Sequence, residues 1–238
     1  MDIRGFCSGL RYAMPIMLGY FPVGFAYGVL AVKAGLSPFW AGMMSFFVYA
    51  GSAQFIAVGM LVAGASVPAI VLVTFVVNLR HLLMSAALTP FVRTWGVPAQ
   101  AWFAFELTDE SFAMNLGRFS TRGAFKPETF GMNFFAHITW VTAGVLGAAF
   151  GSTGSNLEAF GLDFALAGMF VALLLPWLRT QRGLAAALVA GGLSLALAEG
   201  MGGQRLHVLV AAVAGATVAC LLPEKAPAKE QDTEHTNA

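Results

Sequence analysis

The chain has 238 residues, of which 58% are hydrophobic and only 11% are charged. Soluble domains carry about 25% charged residues, and no water-soluble fold of this length can bury so much apolar surface. The composition therefore excludes a soluble enzyme, a secreted domain and a disordered protein, and it predicts an integral membrane protein. A net charge of +1 offers no polybasic surface for nucleic acid.

Long stretches without charge mark the membrane-spanning segments. A helix needs about 20 apolar residues to cross a bilayer. The sequence predicts an all-α polytopic bundle of seven or eight transmembrane helices, some kinked or discontinuous, at 12–32, 38–62, 66–90, 98–116, 128–150, 163–178, 183–199 and 205–222. We expect residues 1–222 to form the transmembrane domain and residues 223–238 to be a disordered polar tail.

The distribution of Lys and Arg gives an orientation. With eight crossings and a cytoplasmic N-terminus, nine of these residues lie on the cytoplasmic side and three on the opposite side, with Arg80 inside a span. This excess on the cytoplasmic side agrees with the positive-inside rule. The first span is too long for a signal peptide. Cys7 and Cys220 lack the spacing of a metal or disulfide site, so we predict neither a metal nor a cofactor.

A polar stripe runs down the third predicted span. On an ideal helix, five polar residues fall within about 80° of the circumference, and they are Thr74, Asn78, His81, Ser85 and Thr89. Arg80 faces away from this stripe. Because a guanidinium stays charged even in the membrane, Arg80 requires an anionic side chain or an anionic ligand.

Three acids in the fourth predicted span are the obvious partners. Glu106, Asp109 and Glu110 have i, i+3, i+4 spacing, which predicts one shared helix face. Three carboxylates so close together repel one another, so we expect one of them to be protonated or paired. We predict that Asp109 or Glu110 pairs with Arg80. Asp109 or Glu110 is also the first candidate for a proton carrier, with His81 next in order.

Glycine and proline weaken the first two spans at a similar depth. Proline removes a helical donor and glycine tolerates non-helical angles, and broken helices expose N–H and C=O groups that bind substrates. We predict that residues 22–24 and 51–54 meet and line one cavity with Asn78 and His81. The alternative for Gly24 and Gly28 is close helix packing. The candidate residues of the path are Gly24, Gly51, Ser52, Gln54, Asn78, Arg80 and His81.

Two further polar residues lie on the fifth predicted span. Asn133 and His137 are four residues apart and so share a helix face. They either line the same path or form hydrogen bonds that pack the bundle. The histidines at 81, 137 and 207 lie on separate spans without the spacing of metal ligands.

Four motifs follow one another along the chain: YFPVGFAYG at 20–28, AGSAQF at 50–55, VNLRH at 77–81 and LTDESFA at 107–113. In this order they resemble the AzlC family, the large subunit of bacterial branched-chain amino acid exporters. The resemblance covers residues 11–145. It implies a multi-pass protein of the bacterial cytoplasmic (inner) membrane, which exports leucine, isoleucine, valine or related amino acids together with a small AzlD-type membrane subunit.

A secondary active exporter of small apolar amino acids is the leading hypothesis. The sequence has no GxxxxGK[ST] loop for ATP, so the energy must come from a gradient, for which protons are the first choice. Two alternatives from other classes stay open. One is a proton or ion channel. The other is an intramembrane serine hydrolase in which His81 or His137 activates Ser52, although no GxSxG motif is present.

Overall fold

The computed structural model describes residues 2–153, 180–200 and 206–222, together with positions 171, 174, 175 and 178. It divides into two compact units, Met1–Met169 and Phe170–Ala238. Every regular element in the described residues is an α-helix. The predicted span 163–178 lies largely outside these residues, and the predicted tail 223–238 lies entirely outside them.

The described residues of the first unit, 2–153, form eight helices. They are α1 Ile3–Ser8, α2 Leu10–Lys33, α3 Pro38–Phe47, α4 Gly51–Val62, α5 Val67–Val92, α6 Val97–Phe105, α7 Asp109–Arg122 and α8 Lys126–Gly151. In the described residues, three helical segments are long and apolar enough to cross a membrane: Ile3–Lys33, Val67–Val92 and Lys126–Gly151. They match the predicted spans 12–32, 66–90 and 128–150 closely, so the all-α membrane fold is confirmed.

Two of the predicted spans are each divided into a pair of shorter helices. The chain leaves the helix at residues 48–50, between α3 and α4, and again at residues 106–108, between α6 and α7. We call residues 48–50 the first break and residues 106–108 the second break. Discontinuous helices were expected, and the first break falls beside the predicted 51–54 segment.

The second break corrects the prediction for the acids. Glu106 ends α6 as its C-cap, whereas Asp109 and Glu110 begin α7, so the three acids do not share one helix face. The cause is local. Thr108 and Ser111 form a reciprocal capping box that starts a new helix at Asp109, and acids in the first turn of α7 favour that start.

Helix α2 runs without a break through Pro15 and Pro22, so of the two predicted distortions, a kink or a discontinuity, the discontinuity does not occur in the first span. Its glycines serve packing instead. A Cβ at Gly28 would overlap the carbonyl of Gly144 on α8, and a Cβ at Gly24 would lie 3.1 Å from the Cβ of Ala143. The two long helices α2 and α8 therefore approach at backbone distance and form the centre of the unit.

Ion pairs hold the carboxyl-terminal half of α7 against its neighbours. Glu128, in the first turn of α8, pairs with Arg118 of α7 and accepts a hydrogen bond of 2.9 Å from Arg11 of α2. Both guanidiniums also lie over the ring of Tyr12. Three helices are thereby joined at one end of the unit, while the start of α7 points at the interior.

The second unit contains the described helices α9 Gln181–Gly200 and α10 Leu206–Leu221. These helices correspond to the predicted spans 183–199 and 205–222. They pack against each other through small residues, because a Cβ at Gly215 would lie 2.8 Å from the carbonyl oxygen of Ala186.

Candidate functional site

A small cavity lies where the two breaks meet the long helices. Its volume is about 20 Å³, which is room for about one water molecule. Its walls combine aromatic rings, hydroxyl groups and three charged side chains, contributed by Tyr20, Tyr49, Gly51, Ser52, Arg80, Thr108, Asp109, Glu110 and Trp140. We call it the central cavity. The amino ends of the half-helices α4 and α7 both lie at its wall.

Arg80 is held in the central cavity by two bonds. Its Nη1 lies 2.7 Å from Oδ2 of Asp109, and its Nη2 donates to Oγ of Ser52 at 2.6 Å. The predicted pairing of Arg80 with Asp109 or Glu110 is thus confirmed, with Asp109 as the partner. The guanidinium joins the amino ends of α4 and α7 to the middle of α5.

Glu110 has a different partner. Its Oε2 accepts a hydrogen bond of 2.8 Å from the hydroxyl of Tyr20, and that hydroxyl also lies 2.5 Å from Oγ1 of Thr108. The same threonine caps α7. Tyr20 on α2 therefore anchors the second break, and it holds Glu110 at the cavity wall.

The amino end of α4 is open toward the central cavity. Its N-cap residue is Ala50, which offers no side-chain cap. The first N–H groups of a helix lack intrahelical partners, and together with the helix dipole they form a favourable position for an anionic group. Gly51 and Ser52 occupy these first positions beside the guanidinium of Arg80.

Trp140 of α8 forms one wall of the central cavity, and Gln54 supports it from behind. The indole Nε1 donates to Oε1 of Gln54 at 2.8 Å. A Cβ at Gly51 would lie 2.9 Å from the indole ring, so glycine lets α4 begin directly against the tryptophan. Gln54 is buried and lies behind the wall instead of lining the cavity.

Several predicted path residues lie outside the cavity lining. The predicted joint cavity includes Gly51 and Ser52, but Gly24, Asn78 and His81 do not line it. Asn78 Oδ1 and His81 Nε2 are buried without a hydrogen-bond partner among the described residues. Thr74 and Thr89 of the predicted polar stripe donate to carbonyls of their own helix, which satisfies their hydroxyl groups locally.

A second buried polar group lies beside the second break. Glu106 Oε1 is 3.3 Å from Nδ1 of His137, and Nε2 of His137 is 3.2 Å from the carbonyl oxygen of Phe46. Asn133, one turn before His137, lies at hydrogen-bond distance from Asn115 on α7. The two polar residues predicted on the fifth span therefore face α6 and α7 from inside the bundle.

Four residues of the central cavity were not predicted from the sequence: Tyr20, Tyr49, Thr108 and Trp140. The hydroxyl of Tyr20 and the cap of Thr108 fix the acids, and the ring of Tyr49 packs edge-on against Tyr20. A signal was present for Thr108, since a threonine before two acids and a serine is typical of a helix start. No pattern separates the two tyrosines from lipid-facing aromatic residues.

The arrangement around Ser52 bears on the hydrolase hypothesis. Its hydroxyl oxygen accepts from Arg80. A serine nucleophile needs a base within hydrogen-bond reach. His137 faces Glu106 and Phe46, and among the described contacts no histidine reaches Ser52. Likewise, the described residues contain no group of three His, Cys, Asp or Glu side chains placed to hold a metal ion.

Fold and cavity together define a multi-pass α-helical membrane protein whose charged groups gather at two helix breaks. The sequence profile of the AzlC protein family matches residues 15–153, which contain every residue of the central cavity. The chain belongs to the AzlC family.

Individual relatives support this assignment. The chain is 30% identical to the inner membrane protein YgaZ of Escherichia coli K12, over 91% of this chain and 88% of that protein. It is 29% identical to the branched-chain amino acid transport protein AzlC of Bacillus subtilis 168, over 85% and 80% of the two chains. An uncharacterized membrane protein of Helicobacter pylori 26695 is 32% identical over 72% and 75%.

No solved protein structure gives a significant match to this chain. The relatives are described as membrane proteins or as a transport protein, and the predicted multi-pass location in the inner membrane is confirmed by this relationship.

Proposed function

We propose that the chain is the large subunit of a secondary active exporter of leucine, isoleucine, valine and similar small apolar amino acids. The observation that carries this proposal is the central cavity, where a guanidinium, an uncapped helix start and two carboxylates lie side by side. An amino acid is a zwitterion, and these groups complement both of its charges. The transport protein AzlC of B. subtilis, named for branched-chain amino acids, supports the choice of substrate.

The charges of the cavity match the two ends of the substrate. Arg80 and the first N–H groups of α4 suit a carboxylate. Asp109 and Glu110 suit an ammonium group. In the described conformation Arg80 and Asp109 pair with each other. Binding a zwitterion exchanges that internal pair for two pairs with the substrate, so no charge inside the membrane is left without a counter-ion.

The side chain of the substrate requires an apolar surface, which the aromatic rings provide. Tyr20, Tyr49 and Trp140 line the central cavity, and the rings of Tyr20 and Trp140 pack edge to face at 5.3 Å. A volume of about 20 Å³ is too small for a leucine side chain. We therefore assign the described conformation to a closed state, which must open at the breaks to accept a substrate.

A small membrane subunit of the AzlD type is proposed to cover α5. This helix leaves apolar side chains between 60% and 72% exposed, among them Val71, Leu72, Phe75, Leu82 and Leu83. Lipid can cover those side chains, but it cannot solvate a charge pair. Arg80 and Asp109 remain 31% and 32% exposed, and a protein surface with polar groups would shield them far better than acyl chains.

We propose that the proton gradient drives export. The sequence has no ATP-binding loop of the Walker type. The carboxylates inside the bundle are the groups that could exchange protons during the cycle. The competing function is a proton or ion channel, which would use the same acids but would leave Arg80 without a role.

Counterflow of labelled leucine tests the proposal. Lipid vesicles are loaded with unlabelled leucine and contain the full chain, either alone or with a co-expressed small membrane subunit. Vesicles with the same leucine load but without protein serve as the control. Saturable entry of label against unlabelled leucine supports a carrier. Absence of exchange in both preparations contradicts branched-chain transport, and a steady ion conductance without saturable exchange would favour the channel.

Direction and energy source need a second measurement. Leucine efflux from loaded vesicles should become uphill when an inward proton gradient is imposed, and an uncoupler should abolish that uphill component. If uphill efflux continues after the gradient has collapsed, protons are not the coupling ion.

A further inference from the structure

His137 connects the two breaks. Its Nδ1 faces Oε1 of Glu106, the C-cap of α6, and its Nε2 faces the main-chain carbonyl of Phe46, near the end of α3. One imidazole ring on α8 thus bridges the carboxyl ends of two half-helices. The last carbonyls of a helix have no partner within the helix, so the contact with Phe46 also satisfies a backbone group.

The two contacts of His137 determine how many protons the Glu106–His137 pair must hold. The carbonyl oxygen of Phe46 only accepts, so Nε2 must carry a hydrogen. An ionised Glu106 also only accepts, so Nδ1 would need a second hydrogen. Both contacts are hydrogen bonds only if the Glu106–His137 pair holds two protons, one on Nε2 and one shared between Nδ1 and the carboxyl. Without the shared proton, His137 has one hydrogen for two acceptors, the carboxylate and the carbonyl oxygen.

Within the described residues, no group donates a hydrogen bond to the second carboxyl oxygen of Glu106. Glu106 is only 1% exposed, and its Oε2 is buried without a hydrogen-bond partner among the described residues. The imidazole lies between the rings of Tyr49 and Phe46, with centroids 4.1 and 5.5 Å away. A carboxylate in such a place is costly unless a donor reaches it.

The charged groups on the neighbouring helices already have partners. On α7, Asp109 pairs with Arg80 of α5, and Glu110 accepts from Tyr20 of α2. From the first break, Tyr49 stacks on His137, and its hydroxyl has no partner among the described residues. None of these described groups bonds to the free oxygen of Glu106.

We propose that Glu106 and His137 form the proton-binding site that couples the gradient to transport, with the shared proton as its ligand. This inference rests on the proposed function, and it assigns coupling to this pair instead of to Asp109 or Glu110. In the described conformation the pair is loaded. On release, the shared proton passes to water, and Glu106 as a carboxylate and His137 as a neutral imidazole keep one hydrogen between them.

Tyr49 links this site to the central cavity. One face of its ring stacks on His137, and the residue also lines the cavity next to Gly51. Release of the proton leaves His137 with one hydrogen for two acceptors, the carboxylate of Glu106 and the carbonyl oxygen of Phe46, so one of its two hydrogen bonds is lost. The loss weakens the contact of α8 with one of the two breaks and the support of the Tyr49 ring, so proton release favours opening of the cavity without being required for it.

The test compares two substitutions of the same kind. Glu106→Gln replaces the carboxyl by an amide that can donate to Nδ1 permanently, imitating the loaded state. Glu128→Gln makes the same change in the first turn of α8, where the carboxylate pairs with Arg11 and Arg118. Each full-length variant, reconstituted as the wild type, is assayed for leucine exchange without a gradient and for leucine efflux driven by a pH gradient.

We expect Glu106→Gln to lose the gradient-driven component of efflux while exchange continues. Glu128→Gln should retain the ratio of gradient-driven efflux to exchange. A gradient response that survives Glu106→Gln overturns the coupling assignment and leaves the proposed function intact. If the wild type itself exchanges leucine but ignores the gradient, proton coupling in the proposed function fails, and this inference fails with it.

Nitrogen NMR of the wild-type chain in lipid keeps the inference testable if Glu106→Gln does not fold. The chain has four histidines, and His137→Asn identifies the signals of His137 by their loss. In the loaded pair both ring nitrogens of His137 should carry or share a hydrogen, whereas in the released pair one of them should be bare. A ring nitrogen of His137 that is bare under every condition would overturn the inference.

Discussion

The guanidinium of Arg80 and the carboxylate of Asp109 lie 2.7 Å apart, and the same guanidinium reaches Ser52 at 2.6 Å. Arg80, on the continuous helix α5, thus contacts the first turns of the half-helices α4 and α7. The fork of arginine permits this double contact, whereas a lysine ammonium is a point charge on a flexible stem.

Arg80→Lys should therefore impair transport even though the charge is kept. Loss of one charge-assisted hydrogen bond costs about 1.5–3 kcal/mol, which corresponds to about a tenfold or larger loss of substrate affinity. Leucine exchange in vesicles measures this loss. Arg80→Ala should also lower the yield of folded protein, because Asp109 is then left without a counter-ion.

Addition of Asp109→Asn to Arg80→Ala provides the control. The double variant no longer contains the orphaned carboxylate, so its yield of folded protein should recover while its transport does not. Equal yields for Arg80→Ala and the double variant would contradict a charge-pair role for Asp109.

Two variants of Ser52 distinguish the effect of filling the cavity from the effect of losing the hydrogen bond to Arg80. Ser52 is buried at the wall of the central cavity. Ser52→Leu adds a side chain that is larger than this cavity, so leucine exchange by the folded protein should be abolished, and overpacking should lower the stability by about 1–3 kcal/mol. Ser52→Ala removes only the acceptor for Arg80 and should retain measurable exchange. Full exchange by Ser52→Leu would place the substrate path elsewhere.

The long helices could be predicted from the sequence because hydropathy acts along the chain. The uncharged stretches around α2, α5 and α8 are long enough to cross a bilayer, and their positions were predicted to within a few residues. Arg80 could likewise be assigned an acidic partner, since a guanidinium in the membrane has few alternatives.

The second break could not be predicted from the spacing of the acids alone. The i, i+3, i+4 pattern assumed one continuous helix, but the capping box of Thr108 starts a new one. As a result, Glu106 faces His137, Asp109 faces Arg80 and Glu110 faces Tyr20. These partners come from three different helices, and only the packing of α2, α5 and α8 determines which partner each acid meets.

Backbone contact between α2 and α8 leads to a prediction about stability. A Cβ at Gly28 would overlap the backbone of α8, whereas a Cβ at Gly19 on the same helix α2 would meet nothing within 4 Å. Gly28→Ala should destabilise the protein, because overpacking costs about 1–3 kcal/mol. Gly19→Ala should be neutral or slightly stabilising, since alanine favours helix by up to about 1 kcal/mol.

Thermal unfolding in detergent compares the two glycine variants directly. A lower unfolding temperature for Gly28→Ala and an unchanged or higher one for Gly19→Ala is the expected result. If both variants unfold like the wild type, the helices can separate at Gly28 without cost, and the close approach does not hold the unit together.

The last prediction concerns the hydrogen bond between Trp140 and Gln54. Both residues are buried, and the indole Nε1 donates to Gln54 Oε1 at 2.8 Å. Gln54→Leu leaves the indole N–H without its acceptor, which costs about 1–3 kcal/mol. Trp140→Phe removes the donor, but it also leaves space beside Gly51, so neither single variant isolates the bond.

The two variants and their combination form a double-mutant cycle, measured by thermal unfolding. Because the first substitution already breaks the bond, the double variant should be about 0.5–3 kcal/mol more stable than the sum of the single effects requires. Strictly additive losses would show that the hydrogen bond contributes nothing, and that Gln54 supports the cavity wall by its volume alone.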